Sequence, residues 1–436
     1  MNLKKLISSN EHRAVYIFSS LIAFIWWIVF NPGFFSSDSF ALMEMLKSKT
    51  ITSEWTAIWA LSLNLITFGG TQPQLATLLF SQLLAFSVGY FLLAYFESKK
   101  ALVLSVILCS TPIVGAMGIT LWHDIPMTAG FLLFLGALKK MESKDKKYYL
   151  VLVLGGILAS FRFNGLPTLI VFIVLITALS KNRRYLITVL VMLITLTGLS
   201  VALNTAYKSD LNVQSDGFID WMRYDISCYA SNTNNESFFE SNFDGKLSRD
   251  DWSSKSACTW FNDSAAFGVR TESANKAIPK AWLNLATTQP LFVLKTHLDR
   301  HKYLIPVPYS GLPNMPFIHT TIEIPNWDIS FTYPKAAEVV RSYPRIWNYF
   351  NFLFGYAGLW LSMLFLIAWR KKSSEILKLA LLGLVLNFSL FVFATISDGR
   401  FALPLLITAQ VVLLSVCLDW IAQKVKTKKT LLDKNR

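Results

Sequence analysis

Residues 73–100 read PQLATLLFSQLLAFSVGYFLLAYFESKK, an apolar run that stops at two adjacent lysines. A helix needs roughly 20 apolar residues to cross the hydrocarbon core of a bilayer, so the run over 73–96 predicts a transmembrane helix. The lysines predict which end of this helix lies in the cytoplasm, because basic residues are enriched on that side of a membrane.

The same pattern recurs along the whole chain, which is 53% hydrophobic and has a mean hydropathy of +0.43. These values exclude an ordinary soluble domain and predict an all-α polytopic membrane protein, a bundle of about ten transmembrane helices with one large extracytoplasmic loop domain. The predicted spans are 14–30, 73–96, 101–119, 126–138, 148–161, 166–180, 185–205, 349–369, 376–395 and 401–421.

The basic residues are distributed asymmetrically about these spans. When the spans are threaded from a cytoplasmic N-terminus, the short inner segments hold 23 of the 41 Lys and Arg residues and the short outer segments hold four. This bias predicts that both termini are cytoplasmic. The long loop 206–348 is nearly neutral, with 14 basic and 15 acidic residues. The net charge of +14 therefore lies on inner segments, where it predicts contact with membrane lipids and no nucleic-acid partner.

The chain divides into three predicted parts. An N-terminal membrane module covers residues 1–205 and includes outer juxtamembrane helices over 37–70. Residues 206–348 form an extracytoplasmic loop domain, and residues 349–436 form the C-terminal transmembrane helices with a basic cytoplasmic tail.

The loop domain itself has three compositional zones. Residues 206–265 are rich in Asn, Ser and Asp, which predicts irregular structure. Residues 273–303 carry a helical pattern that Pro290 interrupts, and the proline-rich stretch 304–344 predicts a cover over the site rather than regular structure.

Two of the four cysteines, Cys228 and Cys258, fall in this loop. If the loop faces an oxidising compartment, these two residues are expected to form a disulfide; two free thiols are the alternative.

Ionisable side chains near membrane depth are costly, and those that a protein retains usually face a cavity and have a function. Four polar sites fit this description, and all four lie at the outer ends of predicted spans. They are Asp38, the triplet Trp122, His123 and Asp124, the triplet Arg162, Phe163 and Asn164, and the triplet Asp398, Gly399 and Arg400.

This set of residues suits transfer of a sugar from a lipid-linked phosphate. A carboxylate such as Asp38 can remove the proton of an attacking hydroxyl group. Arginines such as Arg162 and Arg400 pair with phosphate in a bidentate manner and can stabilise it as it leaves.

The layout resembles the GT-C class of membrane glycosyltransferases. Those enzymes have an acidic residue on a juxtamembrane helix in the first outer loop, a second acidic motif after the third span and a large outer domain late in the chain. The motifs that carry the resemblance are NPGFFSSDSF (31–40), TLWHDIPMTAG (120–130), RFNGLP (162–167), TTQPLFVLKTHLDRH (287–301) and SDGRFALPLL (397–406).

The resemblance implies roles for individual residues. Asp38 is the expected catalytic base, Asp124 a second catalytic acidic contact, and Arg400 a ligand of the donor phosphate. The remaining candidates for binding substrate or donor phosphate are His123, Arg162, Asn164 and Asp398.

The implied activity is transfer of a sugar, expected to be a hexose, from a polyprenyl-phosphate donor to a glycan or glycolipid acceptor. Serotype-converting enzymes that modify the O-antigen of lipopolysaccharide, on the outer side of the bacterial inner (plasma) membrane, have a similar scale. The GT-C class often carries a paired acidic motif in the first loop, whereas Asp38 stands alone. The sequence therefore indicates no metal ligand and no certain cofactor, and it leaves a divalent metal open.

Other interpretations of the same residues remain open. Asp38 can cap a helix, Arg162 can reach lipid headgroups, and Arg400 can pair locally with Asp398. An O-antigen polymerase or ligase would place its key Arg and His residues in the large loop, where 297–302 read HLDRHK. A lipid or solute transporter would place polar residues at mid-membrane and build two related halves, a pattern that this sequence does not follow.

Overall fold

The part of the chain that the structure describes folds almost entirely into α-helices. Within that part, the extended pairing consists of one parallel bridge between Phe34 and Thr120. The structure, a computed structural model, describes residues 3–48, 55–141, 147–179, 183–208, 219–243, 248–252, 258, 272–301, 304, 330–350, 355–393 and 399–434.

The helix bounds follow the apolar runs and their breaks. In chain order the helices are α1 (Leu3–Val29), α2 (Ser37–Ser48), α3 (Ala57–Ile66), α4 (Pro73–Tyr95), α5 (Ser98–Ser110), α6 (Gly115–Gly118), α7 (Asp124–Met141), α8 (Tyr148–Ala159), α9 (Gly165–Leu179), α10 (Arg184–Lys208), α11 (Asp220–Asn232), α12 (Glu236–Asn242), α13 (Arg249–Trp252), α14 (Glu272–Thr288), α15 (Pro290–Arg300), α16 (Pro334–Tyr349), α17 (Ala357–Lys371), α18 (Ser374–Phe393) and α19 (Leu403–Lys434).

Among the described residues, five helices are long and apolar enough to cross a membrane by their length and composition. Shorter apolar helices, among them α8 and α9, pack between or beside them. The five segments are Asn10–Val29, Pro73–Tyr95, Tyr185–Ala206, Ser374–Val392 and Arg400–Thr427.

Helix α7 is the central helix of the bundle and packs against α4 and α8. Its approach to α8 is close because two glycines face each other. A Cβ atom added to Gly130 would lie 2.6 Å from the carbonyl oxygen of Gly155, which is closer than any such contact in real proteins. The two backbones can therefore touch only because neither position carries a side chain.

Charges separate the two ends of the bundle. Helix α7 begins at Asp124 and ends beside Lys139, and its 18 residues span about 27 Å at 1.5 Å per residue. The end at which α7 begins is called the polar end below. At the opposite, basic end, Nζ of Lys139 lies 3.1 Å from Glu375, and Nζ of Lys100 lies 2.6 Å from Asp419.

Three predicted spans differ from the observed helices. The span predicted over 101–119 is not one helix, because α5 stops at Ser110. Pro112 follows two residues later, and proline has no N–H group with which to continue the hydrogen bonds of an α-helix. The span predicted from 349 starts later, with α17 at Ala357. The basic tail after 421 is not separate from the last span, since α19 continues to Lys434.

The prediction of irregular structure over 206–265 is wrong for the described residues of that stretch. Helices α11, α12 and α13 occupy much of it. Buried aromatic side chains, including Tyr229, Phe239 and Trp252, hold these helices against α14. The Asn, Ser and Asp content hid this core, because polar composition does not show which residues are buried; Asp225 and Ser227 of α11 are themselves enclosed.

The rest of the loop domain is closer to the prediction. The helical pattern of 273–303 forms α14 and α15, and Pro290 begins α15 instead of interrupting a helix. Much of the proline-rich stretch lies outside the described residues. Its last part is nevertheless the helix α16, which packs on α1 where Tyr343 stacks on Trp26 with ring centres 6.2 Å apart.

Candidate functional site

Two loops are joined at the polar end of the bundle. The N–H of Phe34 donates to the carbonyl of Ile119 at 3.1 Å, and the N–H of Leu121 donates to the carbonyl of Phe34 at 3.0 Å. The hydroxyl of Ser39 also donates to the carbonyl of Leu121 at 2.8 Å. These bonds place the start of α2 next to the start of α7, so the residues around Asp38 lie beside those around Asp124.

Asp38 forms an ion pair with Arg400, which is in the 3₁₀ turn just before α19. Nη2 of Arg400 donates to Oδ2 of Asp38 at 2.7 Å. The Asp38 side chain is 37% exposed, whereas that of Arg400 is 11% exposed. The carboxylate in the first turn of α2 also benefits from the positive end of the helix dipole.

Asp124 forms a second ion pair, with Arg162. Asp124 is the first residue of α7, and Arg162 lies in the turn between α8 and α9. The side chain of Asp124 is completely enclosed, at 0% exposure. The Asp124 carboxylate is therefore closed to solvent, in contrast to that of Asp38, while the two arginines are exposed to a similar extent, 13% for Arg162 and 11% for Arg400.

Aromatic rings connect the two ion pairs. The Phe401 ring lies 3.6 Å from the guanidinium carbon of Arg162 and 5.0 Å from that of Arg400, measured to the ring centre. On its other side Arg400 lies 4.5 Å from the centre of the Trp122 ring. The Trp122 indole donates to Ser36 Oγ at 2.8 Å, which fixes that ring against the first loop.

His123 occupies an apolar environment beside these pairs. Its ring packs against Trp55 and Trp59, with ring centres 5.1 and 6.2 Å away. Burial lowers the pKa of His123 to about 4, so the imidazole is neutral at neutral pH. Its Nδ1 atom has no hydrogen-bond partner among the described residues.

The pKa of Asp38 reflects two opposing effects. Burial raises the pKa of this carboxyl, but the charge and the hydrogen bond of Arg400 act against burial. The net result is a pKa below the ordinary value of 3.8, so Asp38 is ionised at neutral pH.

The structure thus brings five predicted residues into one group, called the charged cluster: Asp38, His123, Asp124, Arg162 and Arg400. The cluster draws on four separate parts of the chain, and all of them meet at the polar end. Asp398 lies outside the described residues, so its predicted contact with Arg400 is not described.

Asn164 lies apart from the ion pairs, in the wall of a cavity. Its Nδ2 donates to Ser389 Oγ on α18 at 3.3 Å. The cavity has a volume of about 320 Å³ and a mostly apolar surface, and Arg162 is among the residues that line it. It lies between α9, α10 and α18, and its lining includes Leu166, Pro167, Thr197, Ser200, Val201, Asn204 and Leu390.

A second ionic group, which the sequence indicated only in part, lies in the loop domain. Oδ2 of Asp225 lies 2.8 Å from His297 Nε2 and accepts from the Trp282 indole at 2.7 Å, while its other oxygen accepts from Arg300. The other ring nitrogen of His297, Nδ1, lies 2.9 Å from the carbonyl oxygen of Phe391 on α18. Asp225, His297 and Arg300 are buried, and their contacts join the loop domain to the bundle.

The structure also contains a disulfide between Cys228 and Cys258. It links the end of α11 to residue 258, thirty positions later in the chain. Within the described residues, no group of three or more His, Cys, Asp or Glu side chains is arranged to hold a metal ion.

Two aromatic residues of the site received no role from the sequence, although both lie beside predicted site residues and one of them, Trp122, belongs to a predicted triplet. Trp122 directly precedes His123, and Phe401 directly follows Arg400. Aromatic residues beside ionisable ones at a membrane interface are common, so the pattern gives no reason to single these two out. Nothing in the sequence around Asp225 indicated its role, because its partners His297 and Arg300 lie 72 and 75 positions later in the chain.

In comparisons with known proteins, no family model, no curated protein and no solved structure matches this chain.

Proposed function

We propose that this chain is a membrane glycosyltransferase that moves a sugar from a polyprenyl-phosphate donor to a cell-surface glycan, such as the O-antigen of lipopolysaccharide. The observation that carries the proposal is the ion pair of Asp38 and Arg400 at the open side of the charged cluster. It combines a base for the acceptor hydroxyl with a cation for the leaving phosphate in one place.

The difference in exposure between the two ion pairs supports distinct roles. The carboxylate of Asp124 is enclosed, so Asp124 is proposed to hold Arg162 in position and not to touch substrate. The pair of Asp38 and Arg400 is partly open. A phosphate has the same charge as the carboxylate and matches the guanidinium geometry, so it can replace Asp38 as the partner of Arg400.

This exchange would couple donor binding to base strength. While Asp38 is paired with Arg400, its pKa is low and it is a weak base. Once the phosphate takes over Arg400, the lowering effect of the guanidinium is reduced and burial raises the pKa of Asp38. Asp38 thus becomes a stronger base only when the donor is present.

The proposed reaction balances without any further reactant. Asp38 takes the proton of an acceptor hydroxyl, and the hydroxyl oxygen forms a new bond to the anomeric carbon of the donor sugar. The bond from that carbon to the phosphate oxygen breaks, and its electron pair leaves with the polyprenyl phosphate. Arg400, with Arg162 behind Phe401, stabilises the charge that develops on this phosphate.

The cavity beside Arg162 supports a lipid donor. Its mostly apolar surface between α9, α10 and α18 suits a hydrocarbon chain, and Arg162 in its lining suits the phosphate at the head of that chain. The proposed topology has about ten membrane passes, with the polar end and the loop domain outside a bacterial inner membrane and both termini in the cytoplasm.

The two alternative classes receive less support. A polymerase or ligase would need accessible Arg and His residues in the loop domain, but His297 and Arg300 are only 5% and 3% exposed and both bind Asp225. A transporter would need ionisable groups at mid-bundle, whereas the charged cluster lies at one end.

The test is the substitution Asp38→Asn in the native host. After checking that the protein reaches the membrane, the surface glycan is compared by mass spectrometry with that of the wild type and a deletion strain. Glu44→Gln, on the exposed face of the same helix α2, is the matched control.

The proposal expects one sugar per repeat to disappear in the deletion strain and in Asp38→Asn, and to remain in Glu44→Gln. An unchanged glycan in Asp38→Asn, with a changed glycan in the deletion, would remove Asp38 as the base. A deletion that shortens the glycan chains without changing their composition would replace the transferase by a polymerase or ligase.

A further inference from the structure

The loop domain contains a pocket that the charged cluster does not use. It has a volume of about 450 Å³ and lies between the end of α11 and one face of α15, beside the disulfide of Cys228 and Cys258. Lys295 and Asp299 contribute to its wall from α15, and Gln289 contributes from the position just before that helix. More of its surface is polar than apolar, unlike the cavity beside Arg162.

We propose that this pocket binds an oligosaccharide segment of the acceptor glycan, at a distance from the hydroxyl that reacts. The proposal rests on the proposed function for the role of the ligand as acceptor, and the binding of a glycan by the pocket is tested separately. Under this proposal, the loop domain holds the acceptor glycan through the residues that line the pocket.

The chemistry of the wall favours a neutral polyhydroxyl ligand. The amide of Gln289 can donate to one hydroxyl and accept from another, whereas Asn232, whose amide N–H groups bind Cys228 and Cys258, can accept through its Oδ1 atom. Tyr229 and Phe292 supply aromatic surface, on which the apolar face of a sugar ring can pack. The amide groups can therefore bind the hydroxyl groups of a sugar, while the aromatic rings contact its C–H face.

The charges in the pocket wall favour a neutral ligand over a simple anion or cation. Lys295 and Asp299 lie four positions apart on the same face of α15, so the formal charges in the wall cancel. A phosphate or an acidic peptide would meet Asp299, and a cation would meet Lys295. A neutral sugar can accept from the lysine and donate to the carboxylate at the same time.

The pocket is built on a fixed frame. The Asn232 amide donates to the carbonyl of Cys228 at 2.8 Å and to Sγ of Cys258 at 3.0 Å, so its side chain is oriented by the disulfide. Fixed side chains lose little entropy when a ligand binds.

Helix α15 links the pocket to the bundle. Thr296 and Asp299 face the pocket, whereas the neighbouring positions His297 and Arg300 bind Asp225, and His297 also binds α18. Adjacent faces of one helix therefore hold the pocket and the contact to α18, which is the helix that precedes Arg400 in the chain. A glycan held by the pocket is thus anchored to the same frame as the charged cluster.

The test measures binding without turnover. Full-length protein carrying Asp38→Asn is titrated calorimetrically with oligosaccharides released from the surface glycan of the native host, with no donor present. The pocket variant adds Gln289→Ala and Lys295→Ala, both at exposed positions. The matched control adds Lys280→Ala, an exposed lysine on the neighbouring helix α14 that is not in the pocket wall.

The proposal expects the Kd for the released glycan to rise about tenfold or more in the pocket variant and to stay unchanged in the control, since two hydrogen-bonding groups are lost. Equal binding by the pocket variant and its parent overturns the proposal, as does a parent that binds no released glycan.

A second measurement separates this failure from that of the proposed function. In a background with native Asp38, the pocket variant should raise the KM for the acceptor and leave the KM for the donor unchanged. Transfer that proceeds with an unchanged acceptor KM overturns the pocket alone. A glycan that binds the pocket, in a protein whose deletion leaves the host glycan unchanged, overturns the transferase alone.

Discussion

Asp38 and Arg400 are 362 positions apart in the sequence, and Nη2 of Arg400 lies 2.7 Å from Oδ2 of Asp38. The contact joins the first turn of α2 to the turn that starts the last long helix. Because Asp38 is partly open to solvent, the pair can separate when an anion competes for Arg400. The proposed chemistry depends on this exchange.

Replacing Arg400 should change the pH dependence of activity as well as its size. In Arg400→Gln the lowering effect of the guanidinium disappears and burial raises the pKa of Asp38 above 3.8. The acid limb of the profile of kcat/KM should therefore move to higher pH. At neutral pH we expect kcat to fall on the order of 10²-fold, as when a donor to a developing oxyanion is removed.

The measurement is kcat/KM for the donor as a function of pH, for wild type and Arg400→Gln. Arg370→Gln, an exposed arginine at the end of α17, is the control and should match the wild type. An acid limb that stays in place in Arg400→Gln would show that Arg400 does not control the ionisation of Asp38.

The ion pair between the enclosed Asp124 and Arg162 should stabilise the folded protein. Arg162→Gln leaves a fully enclosed carboxylate without its cation, and the loss of one partner of a buried pair costs about 3–5 kcal/mol of unfolding free energy. The double variant Arg162→Gln with Asp124→Asn should recover much of this loss, because no unpaired charge remains.

Unfolding of the detergent-solubilised protein, followed by circular dichroism, measures these differences. Two single losses that simply add in the double variant would contradict a direct interaction between Asp124 and Arg162.

His123 should make the protein less stable in weak acid. Its pKa is about 4 in the folded protein and 6.5 ordinarily, so the unfolded chain takes up a proton at a higher pH than the folded one. The stability contributed by the neutral imidazole is therefore complete above pH 6.5 and is lost progressively as the pH falls to about 4.

In His123→Phe this titration is absent, so Tm should fall less between about pH 7 and about pH 4.5 than in the wild type. The control is His12→Phe, at an exposed position of α1, which should keep the wild-type dependence. A steep fall of Tm in His123→Phe, equal to that of the wild type, would contradict a buried neutral His123.

Filling the cavity beside Arg162 should weaken donor binding without changing the chemical step. Ser200 on α10 lines this cavity, whereas Leu199 is exposed and is not part of its wall. Ser200→Phe should raise the KM for the donor about tenfold at unchanged kcat, because uniform binding of the lipid chain is lost. Leu199→Phe should leave both constants unchanged, and an effect of equal size in both variants would show that the cavity does not hold the donor.

The sequence predicted the helical class and the start of α2 because apolar periodicity and basic ends are local signals. Asp38, His123, Asp124, Arg162 and Arg400 could be selected because ionisable residues at helix ends are rare in such a chain. That all five meet in one cluster could only be inferred from their common depth. The meeting itself depends on the packing of α7 against α4, α8 and α19 and on the backbone bonds between Phe34 and residues 119–121, which no local pattern specifies.

Other features could not be predicted for equally physical reasons. The break between Ser110 and Gly115 lies in a run whose hydropathy stays high, and hydropathy does not register the conformational effect of Pro112. The helices of the loop domain have amphipathic faces made of widely spaced aromatic residues, so polar composition masked them. Asp225 becomes significant only through His297 and Arg300, which α15 brings to it.

The central claim is that Arg400 in the charged cluster binds the phosphate of a lipid-linked sugar. The most direct measurement is the binding of a polyprenyl phosphate, the donor without its sugar, to the full-length protein in lipid nanodiscs by native mass spectrometry. We predict that wild type and Arg370→Gln bind it equally, and that Arg400→Gln binds it about tenfold more weakly or worse, because a charge-assisted hydrogen bond is lost. Binding of equal strength by Arg400→Gln and the wild type would contradict the claim.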